Sequence, residues 1–218
     1  MEFITFYIFS LMEHTSLFVF MLTFFRFNTR DYIRDLILAG AVISFLSYVN
    51  RSLPEVSSFD FYIQLVVTLI FLLIILRIQL FSAILMLLLG MGAIIIIQLL
   101  LTYAYITAGI TLTAENNTSI QTISIQVLSC IILLGGSYFM HRRGWGVTYI
   151  GDDSRKKIKL HKINKSLLIL FAVFILSGGL AFYFWMADML EYQAIPASIF
   201  MISIIRIVYL AIKKEFDK

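Results

Sequence analysis

The sequence is short of three things: cysteine, proline and charge. Its 218 residues include one cysteine, Cys130, which excludes an internal disulfide. It has two prolines and no low-complexity stretch that would mark a linker, so we expect a single domain. Charged residues make up 14% of the chain and hydrophobic residues 61%. Because a soluble domain carries about 25% charged and about 45–50% apolar residues, this chain is too apolar to fold in water.

Recognisable catalytic and metal-binding patterns are also absent from the sequence. Cys130 has no histidine at a suggestive spacing. The three histidines, His14, His141 and His161, form no zinc-binding motif such as H-E-x-x-H. There is no phosphate-binding loop and no kinase or ATP-binding signature. We therefore expect that the protein is not an enzyme and that it uses neither a metal ion nor a cofactor.

Apolar stretches of membrane-spanning length dominate the chain. A spanning helix takes about 20 residues, and seven stretches qualify: 3–25, 35–50, 59–76, 80–106, 120–140, 167–186 and 194–212. The third and fourth are almost continuous, but as one helix they would be about 70 Å long, against a hydrocarbon core of about 30 Å. The chain must therefore fold back between them, at the polar break Arg77-Ile78-Gln79. The sequence predicts an all-α bundle of seven transmembrane helices.

The basic residues give this bundle an orientation. The chain has 17 lysines and arginines and a formal net charge of +4. With seven helices, all of the basic residues except Arg51 and Arg206 fall on one side of the membrane. Cytoplasmic loops carry such an excess, so we place the N-terminus outside and the C-terminus inside. Because the basic residues are confined to loops between apolar runs, we expect the lipid bilayer, and not nucleic acid, as their partner.

The largest soluble segment is the loop 141–166 on the basic side. Its alternation around Gly151-Asp152-Asp153-Ser154 is consistent with a β-hairpin. It is either a solvated loop that contacts anionic lipid headgroups or a docking element for a cytoplasmic or membrane protein partner. The basic residues that would make this contact are Arg142, Arg143, Arg155, Lys156, Lys157 and Lys159.

Ionisable residues within the first and last spans are the strongest local signal. Glu13 and His14 lie near the middle of span one, and Ser10 lies one helical turn from His14. Charge at that depth is costly and usually faces the bundle interior. The three residues form either a ligand or proton site, or a packing contact through a neutral glutamate. Arg206, in span seven, either pairs with Glu13 or extends its guanidinium to the headgroups.

Further polar residues collect in the outer half of the spans, whereas the inner halves carry few. They are Ser44, Ser47, Asn50, Gln64, Thr68, Gln98, Thr102, Tyr105, Thr122, Gln126, Ser129, Ser177 and Tyr183. This pattern predicts either a ligand pocket that opens to the outside or polar contacts that hold helices together. The candidate ligand-binding or coupling residues are Glu13, His14, Ser10, Gln64, Gln98, Gln126 and Arg206.

The chain has short outer loops and helices rich in isoleucine, leucine and phenylalanine, and a charged segment, Lys213-Lys214-Glu215, follows the last predicted helix. This layout resembles the multi-pass N-terminal sensor region of Gram-positive peptide-sensing histidine kinases of the accessory gene regulator type. The resemblance implies a receptor or regulatory module that recognises an external ligand and signals through a cytoplasmic partner. With no phospho-accepting histidine segment or ATPase domain in the sequence, the output would come from a separate chain, or the protein would be a relative that does not signal by phosphorylation.

Two other functions are compatible with the same sequence. In a small secondary transporter, Glu13 and His14 would be coupling or substrate residues. In a membrane subunit of a larger complex, the polar stripes would contact other chains, and a homo-oligomer is one form of such an assembly. The composition is typical of a bacterial plasma membrane protein.

Overall fold

The computed structural model describes residues 2–57, 59–77, 80–108, 120–147, 169–180, 195–196, 198–199, 202–206 and 209. The helices are α1 (Glu2–Phe24), α2 (Thr29–Ser52), α3 (Pro54–Ser57), α4 (Asp60–Leu76), α5 (Leu80–Thr107), α6 (Ile120–Arg143) and α7 (Ile169–Leu180). These described ranges contain no strand, so the expected all-α class is confirmed for this part of the chain.

Four of the helices, α1, α2, α5 and α6, are long and apolar enough to cross a membrane. Their outward-facing side chains are apolar as well: Leu38 of α2 is 62% exposed, Leu100 of α5 61% and Ile131 of α6 60%. Side chains of this kind are compatible with contact to lipid. The chain is therefore a membrane-embedded helical protein, in which α4 and α7 are shorter apolar helices.

The described helices follow the predicted spans closely, with one clear difference in α2. This helix begins at Thr29, well before the predicted start at 35, because its first turns contain Arg30, Asp31 and Arg34 and so lie outside the apolar run. Spans six and seven are helical in their described parts. The predicted hairpin, together with Arg155, Lys156, Lys157 and Lys159, lies outside the described residues.

The chain turns back between α4 and α5 at Arg77, where the length of the apolar run requires it to. Arg77 ends α4 in the left-handed conformation, with φ 49° and ψ 34°, and its N–H donates to the carbonyl of Leu73 at 3.1 Å. Glycine usually occupies this position at a helix end. The turn is thus made by an arginine backbone, which explains why no glycine or proline marks it in the sequence.

Neighbouring helices alternate in direction, so the bundle has two ends. In the antiparallel pair α1 and α2, the ring of Phe3 lies 4.6 Å from that of Tyr48, while Thr15 faces Gly40 further along. We call one end the Asp60 end, which holds the starts of α1 and α4. The other is the arginine end, which holds Arg26, Arg30, Arg34, Arg77, Arg142 and Arg143, all of them exposed.

The apolar core fills the half of the bundle toward the arginine end. α1 contacts α2, α5 and α6, and its side chains Leu17, Phe18, Met21 and Leu22 are at most 2% exposed. α5 is buried on every side over residues 83–92, which are all apolar or glycine. A helix without a polar face belongs in the interior of a bundle.

The left-handed turn gives a first prediction. Replacing Arg77 with valine should destabilise the protein by about 1–2 kcal/mol relative to replacing it with glycine, because a β-branched side chain is strained at positive φ. Both variants lose the same charge, so they control for each other. Thermal unfolding in detergent measures the difference, and equal midpoints for the two variants would contradict the turn geometry.

Candidate functional site

The most deeply buried carboxylate among the described residues is that of Asp60, which is 0% exposed in the first turn of α4. Three side chains of α2 donate to it: Ser47 Oγ at 3.0 Å, Arg51 Nε at 3.0 Å and Asn50 Nδ2 at 3.1 Å. Gln64 Nε2, one turn further along α4, donates at 2.8 Å. A buried charge is strongly unfavourable unless it is paired and hydrogen-bonded. These four donors therefore offset the free-energy cost of burying the Asp60 carboxylate.

Helical spacing brings the donors together. Ser47, Asn50 and Arg51 are three and four residues apart, which puts them on one face at the end of α2. The short helix α3 then reverses the chain, so that the first turn of α4 faces them. A carboxylate in this turn is also favoured by the positive end of the helix dipole.

Arg51 joins three helices at the Asp60 end. Besides its ion pair with Asp60, its guanidinium lies over the ring of Phe6 in α1, 5.3 Å from the centroid. Its side chain is 30% exposed. In the sequence, Arg51 was notable only as the basic residue on the side of the membrane opposite to that of the other basic loops. In the structure, it balances the charge of Asp60.

The network extends from Asp60 to the middle of α1 through Gln64. The Gln64 amide nitrogen also donates to Ser47 Oγ at 2.9 Å, and its oxygen faces His14 Nε2 at 3.4 Å. His14 is buried, and its Nδ1 donates to the backbone carbonyl of Ser10 at 2.8 Å. Ser10, His14 and Gln64, three separate candidates in the sequence, thus belong to one network.

Glu13 belongs to a second contact, between α1 and α5. Its Oε1 accepts a hydrogen bond from Gln98 Nε2 at 2.5 Å, which brings two further sequence candidates together. Arg206 is exposed, and the ion pair among the described residues is the one between Arg51 and Asp60. The hypothesised pair of Glu13 with Arg206 is therefore not formed in the described part of the chain, where Glu13 accepts from Gln98 and the side chain of Arg206 is exposed.

The remaining polar positions fall outside these two contacts. Gln126 is half-buried in α6, and its backbone carbonyl accepts a hydrogen bond from Ser129 Oγ at 2.8 Å. Ser44 and Thr68 are fully buried, and their hydroxyls have no hydrogen-bond partner within the described part of the chain. They lie one helical turn deeper than Ser47 and Gln64, on the facing sides of α2 and α4.

Asp60 is the residue that sequence reasoning missed, because it marked only the boundary of an apolar span. A signal for it was present: Asp60, Gln64 and Thr68 follow one another at intervals of four, so they form a polar stripe on α4. A matching stripe on α2 contains Ser44, Ser47 and Asn50, and the two stripes face each other in the structure.

At the arginine end, the segment after α6 is fastened to the turn between α1 and α2. The N–H of Val147 donates to the carbonyl of Phe24 at 2.8 Å, and the guanidinium of Arg26 donates to the carbonyl of Gly144. Of the predicted partner-contact residues, Arg142 and Arg143 are exposed here. α1 therefore connects the polar network to the start of the basic loop 141–166.

Comparisons of the chain with protein-family models, with characterised proteins and with solved structures found no match. The chemistry of the site must therefore be taken from its own groups. It contains a buried carboxylate with four donors, an imidazole and a second carboxylate. Such groups bind polar or charged ligands and exchange protons.

Loss of the Asp60 carboxylate should be more damaging than loss of the Arg51 charge. Asp60→Leu leaves the partly exposed Arg51 cation and three polar donors without their acceptor, and we expect a loss of about 3–5 kcal/mol. Arg51→Gln should cost about 1–2 kcal/mol, because a partly exposed arginine is replaced while three donors still hold the carboxylate. Unfolding in mixed micelles measures both, and an equal loss in the two variants would contradict the central role of Asp60.

The partner of Glu13 can be tested by a double-mutant cycle. Glu13→Leu and Gln98→Leu should couple by about 0.6–2 kcal/mol, as expected for a hydrogen bond between membrane helices. The matched cycle of Glu13→Leu with Arg206→Gln should show no coupling. Unfolding free energies of the single and double variants give both values, and coupling only in the second cycle would restore the pair of Glu13 with Arg206.

Proposed function

We propose that the protein is a multi-pass membrane receptor or regulatory module of the bacterial plasma membrane. It has seven transmembrane helices, with the N-terminus outside and the C-terminus inside, so the Asp60 end faces outward. An external ligand binds in the polar half of the bundle. The change passes to a cytoplasmic partner through the loop 141–166 and the C-terminal tail.

The position of α1 is the observation that carries this proposal. One helix contributes His14 to the Asp60 network, contributes Glu13 to the contact with α5, and ends at the carbonyl that binds Val147. A ligand that changes the hydrogen bonds of the network also acts on α1. Because α1 is rigidly packed over Leu17, Phe18 and Leu22, its movement reaches the start of the basic loop.

The apolar half of the bundle favours a receptor over a channel. A water-filled pore needs polar groups along its whole length. Here residues 83–92 of α5 are buried and apolar, and they pack with the second half of α1. The polar groups near the Asp60 end are thus closed off from the arginine end, as in a site that detects a ligand without passing it on.

One observation favours a small secondary transporter as the second candidate. Glu13 and His14 are adjacent, lie in the middle of α1, and bind different neighbouring helices. Ionisable pairs at this depth form proton relays in transporters. Proton-dependent uptake into liposomes that disappears in Glu13→Gln would support this function.

The receptor proposal is tested by photo-crosslinking in native membranes. A photoreactive amino acid at Arg142 or Arg143, which are exposed at the arginine end, should capture a cytoplasmic or membrane signalling protein that mass spectrometry identifies. Capture should change at least several-fold when the Asp60 network is broken by Gln64→Leu, because the two ends are joined through α1. The matched control is Gln121→Leu, which removes a half-buried glutamine of α6 that belongs neither to the network nor to the candidate ligand residues.

A crosslinker at Ile131, an exposed apolar position of α6, reports background capture from lipid-facing surfaces. A protein that purifies alone, with no partner captured at either arginine, would contradict the receptor function. Capture that is identical in wild type and Gln64→Leu would show a partner that does not respond to the polar site.

A further inference from the structure

The last turn of α6 is closed by a hydrogen-bonded cap. Gly144 takes the left-handed conformation, with φ 65°, and its N–H donates to the carbonyl of His141 at 3.2 Å. The N–H of Trp145 donates to the carbonyl of Met140 at 2.9 Å. These two bonds form a Schellman motif, which turns the chain back toward the helix. The indole of Trp145 therefore lies against Phe139, with the two ring centroids 5.6 Å apart and the rings at 88°.

Phe139 is the centre of a small aromatic and cationic cluster. The guanidinium of Arg143 lies over its ring, 5.5 Å from the centroid, while Trp145 contacts it edge-on. Trp145 is 60% exposed, and Phe139 and Arg143 are exposed as well. α6 has 24 residues and is about 36 Å long, against a hydrocarbon core of about 30 Å. Its last turn thus reaches the level of the lipid headgroups, where tryptophan and arginine are typical.

An exposed apolar stripe runs along α6 toward this cluster. Its members follow one another at intervals of three or four residues, so they share one face of the helix: Leu128, Ile131, Gly135, Phe139 and, in the last turn, Arg142. A Cβ added at Gly135 would meet nothing within 4 Å among the described residues. The stripe therefore has a shallow depression below Phe139 and the two arginines.

The described neighbours of α6 leave this stripe uncovered. α6 packs on α1 and α5 through its opposite, buried face. Of the later helices, α7 meets α4 where Gly179 lies against Tyr62, and Ile204 meets α5 at Gly92. In the described part of the chain, spans six and seven thus pack on α4 and α5, and the stripe stays exposed.

The charges around the end of the stripe favour an anion. The guanidinium of Arg26 reaches the carbonyl of Gly144, next to Arg142 and Arg143. Neither the segment 139–147 nor the turn 24–28, which it contacts, contains an acidic residue. The nearest carboxylates along the chain are those of Asp31, which accepts from Asn28, and Asp35, both on α2. Positive charge therefore exceeds negative charge where the apolar stripe ends.

We propose that this face of α6 is a binding site for one anionic phospholipid. The phosphate accepts hydrogen bonds from the guanidinium groups of Arg142 and Arg143, and the indole N–H of Trp145 is a further donor. An acyl chain lies along the stripe and over Gly135. A lipid is the partner that uses both features, because a soluble anion would use the arginines alone. The site does not depend on the receptor function.

Native mass spectrometry of the whole protein, titrated with phosphatidylglycerol in detergent, tests the proposal. The wild type should bind one phosphatidylglycerol more tightly than phosphatidylcholine with the same acyl chains. Arg143→Gln should weaken this binding about fivefold, as expected for one basic group near a membrane surface. The matched control, Arg34→Gln, removes an exposed arginine of α2 at the same end, one turn before the exposed Leu38, and should leave binding unchanged.

Equal losses in Arg143→Gln and Arg34→Gln would show only a diffuse attraction of anionic lipid to the arginine end and would overturn the site. So would equal binding of the two lipids by the wild type. Inorganic phosphate should not displace phosphatidylglycerol, and displacement would identify a site for a free anion instead.

The apolar part of the site is tested by Gly135→Leu. This variant should fold, because the added side chain meets open space in the described part of the chain, and it should weaken phosphatidylglycerol binding several-fold by occupying the place of the acyl chain. Ala104→Leu adds bulk at an exposed position of α5 near the Asp60 end and should have no effect. Unchanged binding in Gly135→Leu would contradict the proposal. These measurements use the purified protein, so they are independent of the crosslinking test of the receptor function.

Discussion

A buried carboxylate must be surrounded by donors, and this requirement on Asp60 organises one whole end of the bundle. Its four donors come from α2 and α4, so these two helices cannot slide past each other without exposing a charge to a medium that does not solvate it. Gln64 extends the constraint to α1, and Arg51 extends it to Phe6. The positions of α1, α2 and α4 along one another are thus fixed at the Asp60 end. Apolar packing between aliphatic side chains would not fix these positions.

The two halves of the bundle are stabilised by different physics. Toward the arginine end, α1 and α5 pack through close contact of apolar side chains, and Gly90 lets the α5 backbone come near Met21. Such contacts are numerous, non-directional and tolerant of small shifts. Toward the Asp60 end, a small number of hydrogen bonds holds the helices, and each of them depends on direction. The relative positions of the helices are therefore fixed by polar groups in one half and by apolar packing in the other.

Much of the fold was predictable because membrane insertion depends on length and hydropathy, which are read along the chain. The approximate limits of α1, α4, α5 and α6 and the reversal at Arg77 followed from the thickness of a bilayer, and the reversal is made by the backbone of Arg77 itself. Glu13 and His14 were recognisable because ionisable residues at mid-depth are rare. Their partners were not, since hydropathy carries no information on which helices are neighbours. Glu13 could have reached Arg206 or Gln98 on depth alone, and only the packing of α5 against α1 decides for Gln98.

The dependence of α1 on later helices has a consequence for how the chain is made. α1 precedes its partners in the chain: His14 contacts Gln64, Glu13 accepts from Gln98, and the carbonyl of Phe24 accepts from Val147. Unsatisfied polar groups are strongly disfavoured in lipid. During synthesis α1 therefore emerges before the groups that satisfy its polar side chains, and a chain interrupted before α5 lacks the partner of Glu13.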